Sequence, residues 1–322
     1  MSASHVIAKP VYVYKGQLLA AYGFGSDHPF GTDRHDVFHR ALTAATLGNR
    51  LHFADPATAN PEQLALFHSD EYIRHVERMS EQGSGFLDHG DTPVVPGIYE
   101  AALTVVGTTL AATDAIMAGD TSRAFVPIAG LHHASRLGAA GFCVFNDCGI
   151  AIEYLRKEYG IRRIAYVDID AHHGDGVYYG FEDDPELVFA DTHEDGRFLY
   201  PGTGAACETG KGEATGRKLN IPLPMNAGDE EFFEAWERIV ALLHEMQPEF
   251  IILQAGADGL DGDPITHLRF TQAVHRRATA DLCRIADRYA SGRLLATGGG
   301  GYNRSNLGRA WTAVVKAMVE TE

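Results

Sequence analysis

The 322-residue chain holds only four cysteines, and Cys143, Cys148, Cys207 and Cys283 form neither a CxxC pair nor a dense framework. A disulfide scaffold is excluded on that count, and the thiols read as structural groups in a reducing, cytoplasmic compartment. Basic residues are scarce too: 27 Lys and Arg stand against 43 Asp and Glu, a formal net charge of −16. That field repels nucleic acid and anionic membrane, so direct binding to either is not expected, whereas a cationic substrate or basic partner is tolerated. Long apolar runs are missing as well. Lys9, Pro10 and Lys15 interrupt the N-terminal stretch, which lacks the core of a signal peptide, and no later segment is expected to approach a membrane span. No repeat, low-complexity tract or Pro/Ser-rich linker divides the sequence, which reads as one domain over residues 1–322.

What the sequence does contain is ordinary globular composition, 45% hydrophobic and 22% charged, with enough chain to bury a large core. Short β-rich runs are expected at residues 10–14, 124–128, 163–168, 186–191, 250–254 and 293–296. Helices are expected at 34–46, 70–81, 96–118, 150–159, 271–290 and 306–319. Another follows Asp229, where Phe232, Trp236, Ile239, Val240, Leu243 and Met246 recur along one helical face. Runs such as Phe250-Ile-Ile-Leu-Gln254 are too continuously apolar for a half-exposed sheet. The fold class they indicate is α/β, a central, mostly parallel sheet with helices on both faces. In such folds the ligand site lies beyond the carboxyl ends of the strands. Four of the expected strands end in reactive side chains: His132-His133, Asp168 to Asp175, Asp258, and the glycine run before Tyr302.

Asp168, Asp170 and His172 alternate, and in an extended chain alternate residues point the same way. Carboxylates brought so close require a cation or a shared proton. A divalent ion held by Asp170, His172 and Asp258 would meet that need, in a nitrogen and oxygen set with an open position that suits catalytic zinc and is also usable by iron or cobalt. Asp168 and Asp175 are then left to orient His132 and His133, because a carboxylate accepting one ring N–H fixes the tautomer and makes the other nitrogen more basic. Gly298 to Gly301 allow close backbone approach. Tyr302 beyond them could supply a hydroxyl donor to an oxyanion facing the metal.

Several ordered segments together carry a resemblance: Pro127-Ile-Ala-Gly-Leu-His-His-Ala134, Gly141-Phe-Cys-Val-Phe-Asn-Asp147, Val167-Asp-Ile-Asp-Ala-His-His-Gly-Asp-Gly176, Tyr200-Pro-Gly-Thr-Gly204, Gln254-Ala-Gly-Ala-Asp258 and Gly298-Gly-Gly-Gly-Tyr-Asn303. From His28 and Arg34 to Thr312 the chain resembles the zinc-dependent histone deacetylase family, in its bacterial branch of acetoin-utilisation proteins and acetylpolyamine amidohydrolases. The resemblance implies an arginase/deacetylase-like fold and the metal ligands Asp170, His172 and Asp258. It implies paired histidines, with Asp168 behind His132 and Asp175 behind His133, where His133 performs acid–base work and His132 supplies electrostatic stabilisation. Tyr302 matches the catalytic tyrosine. Gly141, Phe142 and Tyr200 match the acyl-lysine tunnel, whose second wall is commonly Phe, and Asp91 matches a rim acid that holds substrate backbone. A structural potassium ion near the metal loop is also implied, although Asp191 stands where many members have Ser.

The expected activity is hydrolysis of an acetylated, or otherwise acylated, amine to a free amine and a carboxylate, with acetyl-lysine in proteins or peptides as the first expectation and acetylpolyamines or other small amines as the alternative. Two further readings differ in kind. An arginase-like metallohydrolase would need ligands for two metals, and a non-catalytic acetyl-ligand binder would have no use for a complete set of catalytic residues.

Overall fold

The computed structural model describes residues 9–25 and 27–321. In chain order the elements are β1 (Val11–Tyr14), α1 (Gln17–Ala20), α2 (Arg34–Ala44), β2 (Leu51–Ala54), α3 (Pro61–Leu64), α4 (Asp70–Gln82), α5 (Ile98–Ala118), β3 (Arg123–Val126) and α6 (Asp147–Tyr159). They continue with β4 (Ile164–Asp168), α7 (Asp175–Gly180), β5 (Leu187–Glu194), β6 (Lys218–Leu223), α8 (Asp229–Met246), β7 (Phe250–Gln254), α9 (Gln272–Tyr289), β8 (Leu294–Thr297) and α10 (Arg304–Glu320). The strands form one eight-stranded sheet in the order β2-β1-β3-β8-β7-β4-β5-β6, and every pairing is parallel. Parallel pairing needs crossovers, and the helices that make them cover both faces. Helices α2, α10, α9 and α8 pack neighbour to neighbour in one layer, and α4, α5, α6 and α7 in the other.

Every residue of β4, β7 and β8 is buried, which accounts for their unbroken apolar sequences. The α/β class read from the sequence is therefore the observed one. Two strands escape that reading, β2 and β6, and both are sheet edges. β2 exposes its central His52 and Phe53, and β6 carries Pro222, a residue that strands admit at an edge because it lacks the N–H. β5 also runs past the expected Asp191 to Glu194, because Thr192, His193 and Glu194 pair with Ile221, Pro222 and Leu223 of β6.

The expectation that no segment approaches a membrane span needs correction. Helix α5 is long and apolar enough to cross a bilayer by length and composition, and 67% of its most apolar window is buried inside the fold. Its contacts with α6, β3 and β8 make it a central helix of the core, and its apolar length serves that burial.

The connection from β3 to β4 steps over two places in the sheet, which β8 and β7 later fill. The carboxyl ends of β3, β8, β7 and β4 thus become neighbours, and the reactive segments read from the sequence follow these four strands.

Candidate metal centre and active site

β4 ends at Asp168, and the chain then leaves the sheet to place Asp170 and His172 against the segment after β7 that carries Asp258. One ligand atom from each of these three buried residues lies within 4.8 Å of the other two. His172 Nδ1 is 3.1 Å from Asp170 Oδ1 and 3.2 Å from Asp258 Oδ2. Backbone amides fix the carboxylates: Gly300 N donates to Asp170 Oδ2 at 2.8 Å, and Ala171 N to Asp258 Oδ1 at 2.9 Å. Two glycines make this packing feasible. A Cβ on Gly256 would sit 2.0 Å from Asp170 Oδ2, and one on Gly300 would sit 2.1 Å from Asp258 Oδ2.

Two buried carboxylates side by side are electrostatically unfavourable. Burial first, and the Asp170 charge second, push the Asp258 carboxyl above its ordinary range. A divalent cation would supply the missing charge, and two oxygens with one imidazole form a donor set that such ions accept. The residues present therefore fit a metal, and this is the one such group among the described residues.

The loop after β3 brings His132 and His133 beside these ligands. Their backbone is held by the start of α6: Asp147 accepts from the amides of Gly130 and Leu131, and Asn146 Nδ2 donates to the carbonyls of His132 and Ala134. His132 Nδ1 lies 2.8 Å from Asp168 Oδ2, and His133 Nδ1 lies 2.6 Å from Asp175 Oδ1. The separate carboxylate partners expected from the sequence are both in place. Burial works against charge on His132, but Asp168 and Asp170 outweigh it and raise that pKa. For His133, burial and the neighbouring His132 charge lower the pKa despite Asp175. The His133 ring meets that of His172 edge-on at 5.8 Å.

Tyr302 follows the glycine run and lines the same small cavity as His132, His133, Asp170 and His172. Its backbone amide donates to Asp263 Oδ2 at 2.8 Å, and Asn303 caps α10 directly after it. Phe142 stands edge-on to Tyr302 at 5.8 Å, in a left-handed backbone conformation (φ 68°) that is uncommon for a bulky side chain. Tyr22 secures that turn, donating from its hydroxyl to Phe142 O and accepting from Val144 N. Tyr200 is exposed, with its ring 5.1 Å from that of His133, and a Cβ on Gly141 would touch both residues. Asp91 sits at the outer edge, on a loop gathered by Asp88, which accepts from the amides of Gly90, Asp91 and Thr92. Thr92 Oγ1 in turn accepts from Phe142 N, linking rim to wall. Asp191 lies beside Asp168 across β4 and β5, where it accepts from Gly174 N and pairs with His193 Nδ1 at 2.8 Å.

Three supporting residues were not assigned a role from the sequence. Gln254 donates to Asp170 Oδ2 at 2.9 Å and to Gly130 O at 3.2 Å. As the polar terminus of an apolar strand, it carries a signal that strand-end reasoning could have used. Tyr166 donates its hydroxyl to Asp168 Oδ2 at 2.6 Å, and it lies two residues back on the same strand face. Arg34 is fully buried and donates to the carbonyls of Gly299 and Gly301; no local pattern announces this, since its partners are more than 260 residues away.

Comparison with known proteins gives consistent matches. A family model for the histone deacetylase domain matches residues 28–318. The acetoin utilization protein AcuC of Bacillus subtilis (strain 168) is 37% identical over 313 residues, covering 94% of this chain and 80% of that protein. Histone deacetylase 8 of Xenopus tropicalis is 32% identical over 294 residues, covering 89% and 78%. Among solved structures, the HDA15 HD domain superposes with a TM-score of 0.88 at 25% identity, over 97% of this chain and 90% of that one.

Proposed function

The chain belongs to the histone deacetylase family and is a deacetylase hydrolase; on that premise we propose that it removes acetyl groups from lysine side chains of proteins or peptides, using zinc held by Asp170, His172 and Asp258. The observation that carries this reading is one cavity lined by Asp170, His172, the His132–His133 pair and Tyr302, with Asp258 completing the ligand group beside it. Iron or cobalt would suit the same ligands.

A divalent ion at this site would supply Lewis-acid polarisation of the amide carbonyl and would acidify a water. The protein groups perform the rest. His133, neutral because its pKa is lowered, accepts the proton of the attacking water. The proton is then handed to the departing amine as the C–N bond breaks. His132, held toward its charged form by Asp168, stabilises negative charge as it develops. The Tyr302 hydroxyl donates to the former carbonyl oxygen, and this contact strengthens as the transition state forms. Phe142 and Tyr200 flank the alkyl stem of the substrate, Gly141 leaves room for it, and Asp91 accepts from its backbone amides.

The test is an assay of metal-loaded protein with acetyl-lysine peptides and acetylpolyamines, compared by kcat/KM. Acetate release from peptides that a hydroxamate chelator abolishes supports the reading. Preferred turnover of acetylpolyamines would move the assignment to small amines, and binding without acetate release would identify a non-catalytic acetyl-ligand protein.

A further inference from the structure

Away from the metal centre, the edge strand β6 opens with a lysine that is 2% exposed, Lys218. Its ammonium donates to two backbone carbonyls, Asp184 O at 2.8 Å and Leu187 O, and it forms no salt bridge among the described residues. We propose that Lys218 is a tethered cation filling a seat shaped for a monovalent ion, so that truncating it turns this place in the fold into a potassium site.

The seat arises from how β6 begins. Phe189 N donates to Arg217 O where β5 and β6 start to pair. In a parallel ladder the next amide back, Arg217 N, would donate to Leu187 O; it turns instead to Ala214 O. Leu187 O is thus left for a donor from outside the ladder. Asp184 O comes from the turn that joins α7 to β5. The Asp184 carboxylate faces elsewhere, with Oδ1 accepting from Glu186 N and Oδ2 paired with Arg156 at 2.6 Å.

Oxygen dipoles, and no carboxylate, therefore meet the buried charge. Carbonyl oxygens that replace a hydration shell are the means by which proteins hold potassium, and an ammonium group is close to potassium in size. Burial, the leading cause, lowers the Lys218 pKa to about 8, so the group stays charged at neutral pH. The stem is packed too: a Cβ on Gly210 would stand 3.0 Å from Lys218 Cγ. A free ion in this seat would exchange with the medium, whereas a tethered one is present in any salt.

Lys218 touches none of the reacting groups and acts as a positioning residue. The turn it closes follows α7, whose first residue, Asp175, holds His133. The other side of the turn leads into β5.

The experiment uses the metal-loaded full chain and Lys218→Ala, each in choline, lithium, potassium and methylammonium chloride at equal ionic strength. Loss of two charge-assisted bonds should lower the Tm of Lys218→Ala in choline by ~5 °C against the native chain. Potassium or methylammonium should return most of that loss, and lithium, small and strongly hydrated, should return less. With acetyl-lysine peptide, an arm that rests on the deacetylase reading, kcat should fall by ~10-fold in choline and recover with the same ions. Lys218→Met keeps most of the stem and removes the charge, so it should lose stability that no ion restores. Native Tm in choline for either variant would overturn the proposal. So would a loss in Lys218→Ala that potassium and methylammonium reduce no more than choline does. Should Lys218→Ala fail to fold in choline, its refolding yield in the four salts is the readout, and Lys218→Met still decides whether the carbonyls need a cation. Absence of turnover by the native chain would count against the deacetylase reading and leave the Tm series intact.

Discussion

The Nε2 atoms of His132 and His133 lie 3.1 Å apart, although each ring is anchored through its Nδ1 to a different carboxylate. Two imidazoles so joined share one proton between their facing nitrogens, since a second would set two N–H groups against each other. Asp168 and Asp170 bias that proton toward His132, and burial keeps His133 neutral. The pair is thus divided into a cation and a base before substrate arrives. The acid limb of kcat/KM is expected below pH 6.5, because the His133 pKa is lowered and its base form persists there. His133→Ala should reduce kcat by ~10²–10⁴. His132→Asn removes the neighbouring charge, so the residual activity should show an acid limb at higher pH. A limb that stays in place would show that the two rings titrate independently.

Tyr302 is placed by Asp263 and by the cap of α10, and neither contact uses its hydroxyl. Tyr302→Phe should therefore leave fold and metal content intact. It should lower kcat by ~10²–10³, the usual loss for one oxyanion donor. Turnover and metal analysis on the same sample check this, and wild-type kcat in the variant would remove Tyr302 from the chemistry.

Gln254 holds Asp170 through one of its two carboxylate oxygens. Gln254→Leu should weaken metal binding by ~10–100-fold, as expected when a ligand loses an orienting partner. Metal removal should also lower the melting temperature, since an ion present at 100 times its Kd contributes ~2.7 kcal/mol to the folded state. Elemental analysis should give one ion per chain. Two ions per active chain would favour an arginase-like centre.

Three buried histidines outside the metal centre make the fold acid-sensitive. Burial, the leading cause for each, lowers the pKa of His39 and His68 to about 3 and of His275 to about 4. His68 Nε2 accepts from Asn146 N, so a proton there would break a bond that supports the His132 loop. The unfolded chain takes up these protons near pH 6.5 and the folded chain refuses them. Their stabilising effect is present above pH 6.5 and is lost as pH falls toward 4, at up to ~1.4 kcal/mol per pH unit for each group. His39→Phe should reduce the slope of unfolding free energy against pH by about one proton in that window. Denaturant titrations from pH 7 to 4.5 measure it, and an unchanged slope would contradict the assignment for His39.

Much of the site was legible because its residues follow apolar strands. A strand such as Phe250–Gln254 or Ile164–Asp168 announces itself by composition, and a parallel sheet puts its ligands at the strand ends. The metal ligands and both carboxylate–histidine pairs could be named on that basis. The edge strands β2 and β6 were not legible, because half-exposed sequence that includes Pro222 carries no continuous apolar signal.

The amino-acid sequence by itself determined the chemical inventory: an acid and imidazole set at three strand ends, a glycine run before Tyr302 at a fourth, and a parallel α/β core. Tertiary structure alone decided how that inventory is held and how much room it leaves. Arg34 reaches Gly299 and Gly301 from the other end of the chain, and Phe30 lines the same cavity as His133 and Tyr302. Such contacts depend on the order in which strands enter the sheet, and local periodicity carries no record of that order. The identity of the reacting groups was therefore local information, while their separation, protonation and enclosure were set by the packing of distant segments.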